Sequence, residues 1–151
     1  MGSTEDNTMA VIDRSSSDED RGEAALIAAA AKILVSESRG IPADFVTALF
    51  AYAVPEDLMH YGARELAELA ADAWAHLAMR KPGTPNIRFA ASDTSGVLSH
   101  APPNVPLSAP PKTVSVLEIV NDDMPFLVDS VMSELNQRGI DISLVLHPIF
   151  T

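Results

Sequence analysis

Asp122 and Asp123 are the only adjacent acidic pair in the second half of the chain, and Asp129 follows closely. Hard cations take carboxylate oxygens, so these three side chains invite a metal reading. A plainer reading competes with it. Asp122 or Asp123 caps a helix that Pro125 opens, and Asp129 projects from its polar face a turn later. The run Asn121-Asp122-Asp123-Met124 also lies where a strand turns into a helix. Backbone N–H groups at a helix start suit a carboxylate. Two aspartates there work against an anion and suit an amino group. Asn121, Asp122, Asp123, Met124 and Asp129 therefore form the candidate contact turn, either a weak amino-acid site or an intersubunit contact. A tight turn with a cap is the simpler account.

Little else in the chain has the make-up of a catalytic centre. His147 ends the last expected strand before Pro148; an imidazole there can act as an acid/base group, but no nucleophile or orienting partner can be named, and a strand-end hydrogen bond is the simpler account. His60, His76 and His100 have no ligand spacing. Ser3 and Ser95 lack the strand-turn-helix setting of a nucleophile elbow. Cysteine is absent, so disulfides, thiolate zinc sites and cysteine nucleophiles are excluded. The sequence holds no Gly-x-Gly-x-x-Gly run for close approach to a pyrophosphate. Lys32, Lys81 and Lys112 are its only lysines, all in helix or linker contexts. No catalytic, cofactor-binding or metal-binding residue is expected in this chain.

The elements around the turn follow from periodicity. Residues 113–120 are rich in β-branched side chains and read as a strand. A helix is expected over 125–138, with Leu127, Val128, Val131, Met132 and Leu135 on one arc. Glu134 and Arg138 form a favourable i,i+4 pair, and Gly139 is the C-terminal stop. Ile140, Ile142, Leu144 and Leu146 then alternate with Asp141, Ser143, Val145 and His147, the pattern of a strand with one buried face. The unit is β-α-β. Upstream, residues 23–38 read as an Ala-rich helix and Gly40 as its stop. Pro42 opens a second helix with Phe45, Val46, Leu49 and Phe50. The cleanest helix spans 63–80, with Leu66, Leu69, Ala70, Ala73, Trp74 and Leu77 inward and Glu65, Glu68, Asp72 and His76 outward. Trp74, Phe45 and Phe50 read as core anchors.

Four segments result: a disordered acidic tail (1–22), a helical subdomain (23–82), a short strand at 86–91 with a Pro-rich linker (83–112), and an incomplete α/β unit (113–151). The tail is too polar to offset its ordering entropy. A net charge of -11 disfavours nucleic acid and anionic membrane partners. No run approaches a membrane span and no signal peptide is apparent, so a cytoplasmic location is expected. In a ferredoxin-like split β-α-β fold the two strands of one unit are not adjacent. The expected missing neighbour comes from the rest of a longer polypeptide or from a homo-oligomer that completes the sheet.

The run Val116-Leu-Glu-Ile-Val-Asn-Asp-Asp-Met-Pro-Phe-Leu-Val-Asp-Ser-Val131, with Leu144-Val-Leu-His-Pro-Ile149, resembles one family. It is similar to the N-terminal ACT-like domain of the very large bacterial NAD-dependent glutamate dehydrogenases. Pro55-Glu-Asp-Leu-Met-His-Tyr61, the helix with Trp74 and the Arg80-Lys-Pro-Gly83 exit are similar to that family's N-terminal helical region. The resemblance covers 24–151. It implies an α+β chain: a helical subdomain followed by a truncated ferredoxin-like (ACT-like) β-α-β unit. It implies a noncatalytic regulatory or structural portion of an enzyme that oxidises L-glutamate to 2-oxoglutarate and ammonia. NAD is the cofactor of that parent, with none in this chain, and an amino acid is the implied effector. Two other readings stay open: a stand-alone amino-acid-binding module that dimerises, and a helical interaction adaptor.

Overall fold

The computed structural model describes residues 9–90, 99–100 and 112–151. The order is α1 (Met9–Ser36), α2 (Ala43–Phe50), α3 (Pro55–Leu58), α4 (Ala63–Ala78), β1 (Asn86–Ala90), β2 (Ser99–His100), β3 (Lys112–Thr113), β4 (Val116–Val120) and α5 (Leu127–Gln137). This is the expected α+β arrangement: a helical layer with small antiparallel strand pairs.

The helical layer follows from apolar spacing. Ile27, Ala30, Ala31 and Leu34 recur at helical intervals on α1, and all four are buried. Alanine at two of these positions lets the facing helices approach closely. Phe45, Val46, Leu49 and Phe50 fill the layer from α2, Leu58 from α3, and Leu66, Ala67 and Ala70 from α4. Gly40 takes a left-handed φ of 67° where the chain turns after α1, a conformation that costs glycine little. Glu65 starts α4 by accepting the Gly62 N–H at 2.7 Å, one of the donors a helix start leaves orphaned.

The expected strand at 86–91 is present as β1, and it pairs antiparallel with β4 from Asn86↔Val120 to Ala90↔Val116. Directly opposed residues share a face. Ile87, Phe89, Leu117 and Ile119 therefore lie on one side, and Arg88 and Glu118 on the other, toward α4. A second, two-residue pair joins β2 and β3. The expected strand over 113–120 is interrupted at 114–115.

Three expectations change. Helix is present from Met9, so the part of the acidic tail from 9 to 22 is helical, while 1–8 lie outside the described residues. Once the packed Ala-rich half has nucleated a helix, propagation adds one hydrogen bond per residue and carries it upstream. Residues 140–147 are not a strand. Ile142, Leu144 and Leu146 are half-buried and Asp141, Ser143 and His147 exposed, but Ile140 is exposed and Val145 half-buried, so the alternation holds only in part. No strand lies alongside among the described residues, and a ladder needs one. Finally, α5 begins at Leu127, two residues after Pro125. Most of the expected Pro-rich linker, 91–98 and 101–111, lies outside the described residues.

Every buried apolar residue among those described falls between Ile27 and Ala70. Trp74 and Leu77 pack partly against this core, as do Leu144 and Leu146 from the far end of the chain. Phe45 meets Trp74 edge-on at 4.7 Å and stacks on Phe150 at 5.0 Å. Tyr52 lies 5.7 Å from the His147 ring. The C-terminal segment therefore runs back along the helical layer. Among the described residues, no helix is long and apolar enough to cross a membrane.

Candidate functional site

The turn after β4 is held by its first aspartate. Gly83, at a φ of 71°, donates its N–H to Asp122 Oδ2 at 3.0 Å, and the Arg80 guanidinium pairs with Oδ1. A bridge between Lys81 and Thr84 closes the tight loop that presents this N–H. One carboxylate thus joins the exit of α4 to the exit of β4.

The capping expectation for Asp122 and Asp123 is therefore corrected. The cap position of α5 is Phe126, with a left-handed φ of 64° and no side-chain cap bond. Asp122 faces Arg80 instead, because a full positive charge and a free N–H outweigh a single helix-end N–H. Asn121 points its amide at the Met124 sulfur, 3.1 Å away. Asp123 and Asp129 are exposed, and their side chains form no hydrogen bond or ion pair with the described residues. Among the described residues, no three metal-capable side chains gather. Of the five candidates, the structure brings Asn121 to Met124 and sends Asp122 to a partner 42 residues earlier.

A second polar cluster, which the sequence reading missed, sits between the sheet and α4. Glu118 and Arg88 are cross-strand partners, and Arg88 Nε donates to Glu118 Oε2 at 2.5 Å. The same guanidinium donates to the main-chain oxygen of Asp72 at 3.3 Å. His76 Nδ1 lies 3.4 Å from Glu118 Oε2. The Glu118 side chain is 14% exposed and that of His76 is 2% exposed. The outward position expected for His76 is thus wrong: it faces inward, with neither ring nitrogen hydrogen-bonded. A signal was available, since His76 follows Leu69 by seven residues and shares its stripe.

A third network joins the turn after α1 to α4 on the surface. Arg39 reaches Glu37 at 3.0 Å and Glu68 at 3.1 Å, and Arg64 pairs with Glu37. The Arg64 guanidinium, with Arg39 helping, holds the Glu37 carboxyl below the ordinary carboxylate range against a smaller opposing effect of burial. All three clusters join acid to base within the chain. Such contacts fix orientation, and among the described residues none of the three clusters pairs a nucleophile with a base.

Residues 45–151 match the family described as glutamate dehydrogenase, ACT1 domain. The match starts inside α2 and continues through the sheet and α5 to the last residue. No curated protein and no solved structure matches the chain.

Proposed function

This chain belongs to the glutamate dehydrogenase ACT1 domain family, and on that premise we propose that it is a noncatalytic, regulatory or structural part of an NAD-dependent glutamate dehydrogenase. The parent reaction is the oxidation of L-glutamate by NAD and water to 2-oxoglutarate, ammonia and NADH. The carrying observation is the match itself, which takes in helices and sheet together. The polar clusters support the reading, because Asp122, Arg80, Glu118 and Arg88 are engaged with one another. The NAD site and the reacting groups belong, in this proposal, to other parts of the enzyme.

The partner of this region is either the rest of the polypeptide or a second copy that extends the sheet. Each strand of the β1–β4 pair has one edge without a strand neighbour among the described residues. Ile87 and Phe89 stand 64% and 67% exposed on the face away from α4. Unpaired edges beside an apolar face are suited to strand addition. An amino-acid site at Asn121–Met124 has less support, because Asp122 is already bound to Arg80 and Gly83.

Removal of this region from the complete dehydrogenase is the test. Assembly state or effector response is expected to change, while the remaining part still binds NAD and glutamate. Loss of NAD binding with assembly unchanged would overturn the reading.

A further inference from the structure

We infer that the β1–β4 sheet is a releasable body, held on α4 and its exit by polar latches and tethered beyond them by apolar contacts. The inference is independent of the family assignment. It begins from where burial stops. No residue of β1, β4 or α5 is buried, whereas the layer beneath has a continuous core. Apolar burial therefore contributes little to seating the sheet on α4.

Polar groups take its place. At the centre, Arg88 reaches the Asp72 carbonyl and Glu118 lies against the His76 ring. At the end, Asp122 closes on Arg80 and Gly83. The Arg88–Glu118 pair is internal to the sheet, so undocking leaves it intact along with the ladder. What breaks is the contact to Asp72, the approach to His76 and the Asp122 clamp. Neither His76 nitrogen has a hydrogen bond in the docked state, so water reaching the ring offsets part of the cost. Two tethers limit the movement. One is the α4 exit, continuous with the core. The other is the C-terminal segment, where Leu144 and Leu146 pack on the core and Phe150 stacks on Phe45. The sheet and α5 swing between these points, and release uncovers His76.

The test reads exposure of His76 in the full chain, as its rate of modification by diethyl pyrocarbonate followed by peptide mass spectrometry. Asp122→Asn removes an exposed ionic contact and is expected to speed the reaction roughly two- to fivefold. Glu118→Gln removes the carboxylate that lies against the His76 ring, a shielded contact, and is expected to speed the reaction more than Asp122→Asn does. Hydrogen exchange of core amides such as those of Ala30, Val46 and Leu66 is the control and stays unchanged. If His76 reacts no faster in either variant, the latches do not hold the sheet. If the core amides accelerate as much as His76, the variants loosen the whole fold and the sheet is not a separate body. Arg80→Met repeats the Asp122 test from the other partner.

Discussion

The helical layer and the sheet layer rest on different forces. In the helical layer Phe50, Leu34, Leu58, Leu66 and Val46 are fully enclosed, and apolar area removed from water stabilises the packing. In the sheet layer Ile87 and Phe89 face solvent, while Arg88, Glu118 and Asp122 make the contacts that set its position. Burial is non-directional and strong in sum; ionic contact is directional and weak once exposed. The inner layer is thus built to persist and the outer one to be oriented.

The same substitution separates the layers most sharply. Phe50→Ala opens a cavity in the enclosed core and is expected to cost about 3–5 kcal/mol in urea unfolding. An unchanged midpoint would show that the core does not carry the stability. Gly139→Ala places a side chain on a backbone at φ 68° just after α5, an expected cost of about 1–2 kcal/mol. Hydrogen exchange resolved by segment should confine that loss to the α5 region; spread into α1 and α4 would mean that the layers unfold as one. Phe150→Ala removes the ring stacked on Phe45 and is expected to cost about 1 kcal/mol, with faster exchange in 144–150. Phe89→Ala, the outer counterpart of the Phe50 change, should stay within about 0.5 kcal/mol in the isolated chain. A cost near that of Phe50→Ala would mean that this face is covered.

The smallest effect is a pH dependence. Arg64 and Arg39 hold the Glu37 carboxyl below its unfolded value. The stability from this contact is present above the unfolded carboxylate pKa and is lost as pH falls through the lowered native value. It is slight, because Glu37 is at the surface. An NMR titration of Glu37 should show its midpoint rising in Arg64→Ala; no movement would assign the lowering to another group.

What was legible in the sequence was local. The inward stripe of α4 and the Phe pair of α2 follow from helical spacing, because the inner layer is built from contiguous amphipathic helices. The Glu134–Arg138 pair was equally visible, four residues apart, and is present at 2.6 Å. Contacts across long separations were not. Nothing near Asp122 points to Arg80, so the local capping rule supplied the wrong partner. The alternation at 140–147 holds only in part, since Ile140 is exposed and Val145 half-buried, and a strand also requires a neighbour that alternation does not reveal. His76 shows a different limit: a polar residue on an apolar stripe was assigned by type when its position held the answer.

The most direct measurement of the central claim uses the purified chain with NAD and L-glutamate, monitored for NADH absorbance and for NAD binding by calorimetry. A noncatalytic part of a glutamate dehydrogenase produces no NADH and binds no NAD, while the complete enzyme under the same conditions does both. NADH formation by the chain alone, proportional to its concentration, would contradict the account.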